Sequence, residues 1–207
     1  KHFSVIRDFS IMALLSGIIV PLNFILIRNL IIDYHSIQQA GIWDAVNRIS
    51  GFYMLFFTTG LSFYYIPKLS SIHTNAEFKG ELKNYFKTII PLFIVVVLLF
   101  IFFKDIVIQI ALTEEFQEVK TVLFWQLFGD FLRLLTLAFG YQILVKTMMK
   151  KYIAVELLFN ISYFVLSYFM IQKSAVTGAL QAYCIANFIT FCLVFWMFRN
   201  TLFSKRN

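Results

Sequence analysis

Six long apolar blocks, separated by short polar segments, divide the 207-residue chain. Within each block the apolar residues follow one another almost without interruption, instead of alternating as they do along an amphipathic element. Each block is near the roughly 20 residues that a helix needs to cross about 30 Å of hydrocarbon. The pattern predicts an all-α, polytopic membrane protein with spans at about 9–32, 42–66, 88–112, 121–145, 152–171 and 175–198.

Composition agrees with this prediction, since 60% of the residues are hydrophobic and 19% are aromatic. A soluble domain of this size has far more polar surface. The apolar runs are also too continuous for the strands of an outer-membrane barrel, which alternate between lipid and lumen. The chain shows no secretory signal pattern and begins with Lys1, so we expect a piece of a larger protein.

Basic residues are distributed unevenly between the two sides of the membrane. If the N-terminus is cytoplasmic, the segments on that side hold twelve lysines and arginines, against three on the other side. This asymmetry predicts that both termini are cytoplasmic. Topology and contacts with anionic lipid heads account for the net charge of +7, so we expect no nucleic acid as a partner.

Charged residues also occur within the spans or near their edges. Six of them are Arg28, Asp44, Arg48, Asp130, Arg133 and Glu156. A charge at the centre of a span costs about 2.5–3.5 kcal/mol, so their retention predicts a polar interior. At a rise of about 1.5 Å per residue, Arg28 and Arg48 lie one and two turns below the external boundary and could share a cavity. Asp130 and Arg133 lie near the midplane, and Glu156 about one turn from the cytoplasmic face.

Neutralisation within a single helix is the alternative explanation of these charges. Asp44 and Arg48 are four residues apart, and Asp130 and Arg133 are three apart, so each pair can meet on one helix face. Glu156 can pair with the lysines that precede its span. Pairing of this kind remains an alternative to a functional role for each of these residues.

Arg28 has no acidic residue within a turn on its own helix except Asp33, which is poorly phased. An unpaired arginine facing a cavity suits an anionic ligand, because its planar donors match phosphate oxygens. A carboxyl in a partly dry cavity can carry a coupled proton. The candidates for anion binding are Arg28, Arg48 and Arg133, and those for proton coupling or charge relay are Asp130, Glu156 and Asp44.

Histidines and cysteines form no arrangement that indicates catalysis or a metal. His2, His35 and His73 lie in three separate polar segments, and Cys184 and Cys192 are eight positions apart in one predicted helix. No HExxH, GxSxG or phosphate-loop motif is present. We expect no metal and no cofactor, and transport explains six spans better than catalysis does.

Six runs of sequence together resemble a known family. They are GIWDAVNRIS at 41–50, LSFYYIPKLS at 61–70, FWQLFGDFLR at 124–133, AFGYQILVK at 138–146, AVELLFN at 154–160 and GALQAYCIAN at 178–187. In this order they resemble the bacterial O-antigen and enterobacterial-common-antigen lipid flippases. These are Wzx-type translocases in the polysaccharide branch of the multidrug/oligosaccharidyl-lipid/polysaccharide exporter superfamily.

The resemblance implies a fold of two six-helix lobes around a central cavity, with residues 1–207 matching the second lobe, helices seven to twelve. It implies a cargo, an undecaprenyl-pyrophosphate-linked oligosaccharide, moved from the cytoplasmic to the periplasmic leaflet of the inner membrane by alternating access. The cargo would be an O-antigen or enterobacterial-common-antigen repeat unit. The expected partners are the cargo, the lipid bilayer, and the polysaccharide polymerase and chain-length proteins of the same pathway.

Individual residues also match the family pattern. Arg28 resembles a family arginine near the outer end of helix seven, Asp130 the aspartate of WQLxGD, and Glu156 the glutamate of the AE motif. Arg133 falls where a basic residue also occurs. Arg48 departs from the pattern, because a small polar residue stands there in the relative.

Two other functions remain as alternatives. A drug or metabolite exporter of the same superfamily is expected to have acidic and aromatic cavity residues that contact cations, and the arginines argue against it. A membrane-embedded polymerase or ligase of the same pathway is expected to carry its chemistry on a large extracytoplasmic loop. The external segments of this chain are short.

Overall fold

Five helices make up the regular structure of residues 2–111 and 119–203, which are the residues that the computed structural model describes. They are α1 (His2–Tyr34), α2 (Ile37–Ser70), α3 (Asn75–Ala111), α4 (Val119–Val145) and α5 (Met149–Phe203). All five contain a stretch long and apolar enough to cross a membrane. The all-α, polytopic prediction is confirmed. Residues 113–119 (TEEFQEV), which separate the third and fourth predicted spans, fall almost entirely outside the described residues.

The number of separate helices is five where the sequence predicted six, because the last two predicted spans both lie in α5. In a straight helix Phe159 and Tyr183 would be about 36 Å apart at 1.5 Å per residue. Their ring centroids are 6.1 Å apart, so α5 folds back on itself. The reversal occurs at Ser174 and Ala175, which have non-helical backbone angles. We call residues 149–173 the first arm of α5 and residues 176–203 the second arm.

The two arms approach each other closely just after the turn. A Cβ added to Gly178 would lie 2.2 Å from the carbonyl oxygen of Met170, so a side chain there has no room. Ala179, Ala182 and Ala186 continue along the second arm and are fully buried. Small residues of this kind let helix backbones approach within a membrane. The hairpin therefore packs through its backbone near the turn.

Short capped turns join the first three helices. The Ser36 hydroxyl caps α2 by accepting from the backbone N–H of Gln39 at 3.2 Å. At the start of α3, the Thr74 hydroxyl accepts from the N–H of Glu77 at 3.2 Å, and the Glu77 carboxylate accepts from the N–H of Thr74 at 3.3 Å. Such reciprocal bonds satisfy the free donors of a helix start. Each of these caps fixes the residue at which the next helix begins, so the turns between α1, α2 and α3 are short.

Helix α4 lies at the centre of the bundle and packs against α2, α3 and α5. In its most apolar stretch 56% of the residues are buried, against 11% in the corresponding stretch of α3. The outer helices α1 and α3 expose large apolar side chains such as Leu14, Ile18 and Phe102. An exposed apolar surface of this kind suits lipid, whereas α4 is placed to carry the polar groups of the interior.

Candidate functional site

Asp130, on α4, is the most deeply enclosed of the charged residues in the spans, with none of its surface exposed. Its carboxylate accepts hydrogen bonds from Ser50 Oγ at 2.6 Å, from Tyr183 OH at 2.8 Å and from Gln126 Nε2 at 3.2 Å. The hydroxyl of Tyr53 also donates to it. We call these five residues the Asp130 cluster. The donors come from α2, α4 and the second arm of α5, so one carboxylate joins three elements of the bundle.

Arg133 lies one turn further along α4 and forms no ion pair with Asp130. The interpretation in which the two residues neutralise each other in a direct ion pair is wrong. The Asp130 carboxylate accepts its hydrogen bonds from uncharged donors instead. Tyr183 lies between the two residues, since its hydroxyl donates to Asp130 and is also within hydrogen-bonding reach of Arg133. The two charges are therefore connected through a tyrosine.

Gly129 explains how Tyr183 reaches this position. A Cβ at Gly129 would lie 2.5 Å from Cδ1 of the Tyr183 ring, so the ring lies directly on the backbone of α4. Sequence reasoning singled out Asp130 but none of its four donors. The glycine beside the aspartate in WQLFGD was the available signal, because glycine within an apolar helix often marks a close approach.

Arg28 and Asp44 form an ion pair between α1 and α2, with Nε and Oδ2 2.9 Å apart. The interpretation of Arg28 as an unpaired arginine is wrong, because it pairs with an acid on the neighbouring helix. The same contact replaces the predicted pairing of Asp44 with Arg48. Arg48 is exposed and makes no hydrogen bond or ion pair with any described residue.

A cavity of about 460 Å³ opens between α1, α2, α4 and both arms of α5. Of the charged residues predicted as candidates, Arg133 and Glu156 line it; Arg28, Asp44, Arg48 and Asp130 do not. Arg28 and Arg48, which we expected could share a cavity, do not line this one, and their sharing of a site stays a prediction. Its volume lies in the range of about 300–1,000 Å³ typical of small-molecule sites.

Arg133 is exposed in this cavity, although it belongs to the central helix of the bundle. It contacts no carboxylate among the described residues, so its guanidinium is open to a ligand. Glu156 is half-buried, and its Oε1 accepts from Asn160 Nδ2 at 3.4 Å. The cavity thus presents one accessible cation and one accessible acid on facing elements.

Aromatic, amide and hydroxyl side chains make up most of the remaining wall. The aromatic members are Phe24, Trp43, Tyr141, Tyr152, Phe159, Tyr163 and Tyr183, and the amide and hydroxyl members are Asn23, Asn47, Thr136, Asn160, Asn187 and Thr190. Asn23 Nδ2 donates to Asn160 Oδ1 at 3.0 Å and so ties α1 to the first arm of α5. No local sequence pattern predicts this wall, because its residues come from four helices.

Comparisons with known proteins identify two similar curated proteins. No protein-family model matches the chain, and no solved structure matches it. It is 28% identical over 197 residues to two curated proteins named lipid III flippase, one from Escherichia coli (strain K12) and one from Shigella flexneri. The match covers 94% of this chain and 47% of each relative, so the chain spans about half the length of those proteins. The resemblance noted from the sequence runs is confirmed: over almost its whole length this chain, with its membrane-spanning helices, is similar to the lipid III flippases.

Proposed function

We propose that this chain forms the second of two lobes of a flippase for undecaprenyl-pyrophosphate-linked oligosaccharide, an O-antigen or enterobacterial-common-antigen repeat unit. The cargo moves from the cytoplasmic to the periplasmic leaflet of the bacterial inner membrane by alternating access. In this proposal both ends of the chain are cytoplasmic, as the excess of basic residues on that side favours. The names of the two curated relatives support a transporter more than an enzyme.

The observation that carries the proposal is the accessible guanidinium of Arg133. A positive charge that faces a cavity at membrane depth, without a carboxylate partner, favours an anionic ligand. Its donors match the oxygens of a phosphate, and a cavity of limited water content strengthens that contact. In our proposal Arg133 holds the pyrophosphate while the lipid tail stays in the bilayer.

The other candidate residues take separate roles. Arg28, which is half-exposed beside Asp44, and the exposed Arg48 lie nearer the predicted external side, where we propose that they contact the anion late in transport. Glu156 is the acid that the cavity can reach, so it is our candidate for proton coupling. Asp44 and Asp130 are engaged in protein contacts and act as relays at most. The polymerase and chain-length proteins would receive the cargo afterwards.

The test uses the complete reading frame that contains this chain, expressed in cells without a flippase of their own. We expect Arg133→Ala to abolish most of the transfer of the lipid-linked oligosaccharide to the periplasmic side, and Arg28→Ala to reduce it less. Arg199→Ala is a matched control, because Arg199 lies over the Trp196 ring, 4.7 Å from its centroid, and does not line the cavity. If Arg133→Ala and Arg28→Ala are both expressed and both keep full activity, the proposed anion site is wrong.

Coupling to protons is tested in the same cells by collapsing the pH gradient. If Glu156 carries the proton, transport falls on collapse, and Glu156→Gln transports slowly whether or not a gradient is present. Transport by the wild-type protein that does not respond to the gradient would contradict this role, and it would leave the role of Arg133 standing.

A further inference from the structure

Four polar side chains of the cavity share one hydrogen-bonding arrangement and keep a side-chain oxygen to which no described residue donates. Each donates to the backbone carbonyl of the residue four positions earlier on its own helix: Asn47 to Trp43 at 2.8 Å, Thr136 to Leu132 at 3.1 Å, Asn187 to Tyr183 at 2.9 Å and Thr190 to Ala186 at 2.7 Å. They come from α2, α4 and the second arm of α5, and all four line the cavity. We call them the acceptor wall. Asn160 makes the same kind of bond to the carbonyl of Glu156, but its own oxygen accepts from Asn23.

This arrangement determines what the wall offers to a ligand. A threonine hydroxyl has one hydrogen, and Thr136 and Thr190 donate theirs to backbone carbonyls. Their hydroxyl oxygens can therefore only accept a hydrogen bond from a ligand. Each asparagine has used one amide hydrogen and presents its carbonyl oxygen beside the second. The nitrogen and oxygen are assigned by the chemistry, because a backbone carbonyl accepts and cannot donate. No described residue donates to these side-chain oxygens, so the wall is rich in unused acceptors.

Burial holds the wall in this state. Asn187 and Thr190 are each only 3% exposed, so neither side chain has room to turn toward bulk water. A buried acceptor without a partner is costly, and the cost is removed when a ligand donates to it. The wall is therefore suited to a ligand that carries several O–H or N–H donors close together.

Aromatic rings stand beside the acceptor wall. Phe24 and Trp43 pack with their centroids 4.5 Å apart, and Tyr163 and Tyr183 pack at 5.6 Å. Such rings offer flat apolar faces within a site that also has polar groups. A pyranose has hydroxyl donors around its edge and apolar C–H groups on its faces, so it complements both parts of the wall at once.

We infer that the acceptor wall is a glycan subsite, which binds uncharged sugar residues of the cargo beside the pyrophosphate at Arg133. The inference rests on the proposed function and adds that the pyrophosphate and the sugars bind at different parts of the cavity. Lone pairs repel phosphate oxygens, so the anion does not belong on the wall. A lipid tail has no donors and gains nothing from it. The sugar is the part of the cargo whose chemistry fits.

The experiment compares two ligands on the complete protein in lipid nanodiscs. One is undecaprenyl-pyrophosphoryl oligosaccharide isolated from the source cells, and the other is undecaprenyl pyrophosphate without sugars. Asn187→Leu and Thr190→Val change little volume but remove the acceptors. We expect each to weaken binding of the glycolipid about 5- to 30-fold, from the loss of one or two hydrogen bonds. Binding of the bare pyrophosphate should stay within about twofold.

Thr58→Val is the matched control. Thr58 Oγ1 donates to the carbonyl of Met54 at 2.9 Å, the same local arrangement, but Thr58 does not line the cavity. It should bind both lipids as the wild-type protein does. Thr136→Val repeats the test on α4 at a half-buried position, in case a variant of the second arm fails to fold.

The outcomes separate this inference from the proposed function. Arg133→Gln should weaken binding of both lipids, because both carry the pyrophosphate. Equal weakening of both lipids by the wall variants, or unchanged binding of the glycolipid, would overturn the glycan subsite while the flippase proposal stands. If the wild-type protein binds neither lipid, the proposed function is wrong and the subsite falls with it.

Discussion

Asp130 and Arg133 lie one turn apart on the same helix and have opposite surroundings. Asp130 has no exposed surface, and four uncharged donors surround its carboxylate. Arg133 is exposed in the cavity and contacts no carboxylate among the described residues. Charges within a membrane helix are thus of two kinds, one that holds neighbouring helices together and one that stays open to a ligand.

Helix geometry explains how so small a separation gives so large a difference. Three residues along an α-helix advance about 4.5 Å and turn about 300°, so the two side chains point some 60° apart. That change is enough to carry the second residue from the interface with α2 into the cavity beside α5. The sequence spacing alone therefore does not separate the two kinds of charge.

Replacement of Asp130 should have the largest effect on stability. Asp130→Leu removes the acceptor of the buried donors Ser50, Gln126 and Tyr183 and of the half-buried Tyr53, and an unsatisfied buried group costs about 1–3 kcal/mol. We expect a loss of about 3–5 kcal/mol in the free energy of unfolding, since the donors share one carboxylate. Thermal and denaturant unfolding in detergent measure it. A stable Asp130→Leu protein that no longer transports would instead give Asp130 a direct part in transport.

Substitution of Gly129 should have an intermediate effect. In Gly129→Ala the new methyl group meets the Tyr183 ring at 2.5 Å, so the ring must move and its hydroxyl leaves Asp130. Overpacking of this kind costs about 1–3 kcal/mol. Gly51→Ala on α2 is the control, because a Cβ there meets nothing within 4 Å, and it should not destabilise the protein. Equal melting temperatures for the two variants would mean that the Tyr183 contact contributes little.

Breaking the Arg28–Asp44 pair should have the smallest effect. Its side chains are 39% and 29% exposed, and exposed ion pairs contribute about 0–1 kcal/mol. A double-mutant cycle with Arg28→Gln and Asp44→Asn measures the coupling in the free energy of unfolding. We expect a coupling below about 1 kcal/mol. A value as large as the Asp130→Leu effect would place this pair with the Asp130 cluster as a structural contact.

Hydropathy was sufficient to predict every helix, because a continuous apolar run of this length in a membrane satisfies its backbone hydrogen bonds only as a helix. It also predicted a boundary between the last two spans close to the reversal, although Ser174 and Ala175 carry none of the usual Gly, Pro or Asn signals of a turn. It did not predict that helical structure continues to the reversal from both sides, so that α5 is one element of 55 residues. Arg28 and Asp44 are sixteen residues apart and meet only when α1 packs on α2. The donors to Asp130 are common residue types on three elements, and no local pattern distinguishes them.

The hairpin of α5 also bears on how the chain enters the membrane. A straight helix of 55 residues would be about 82 Å long, more than twice the hydrocarbon thickness. Because the reversal takes only two residues, almost no polar chain has to be translocated between the fifth and sixth crossings. We therefore expect the two arms to enter the bilayer together as a hairpin, in which Tyr163 and Tyr183 pack with their ring centroids 5.6 Å apart.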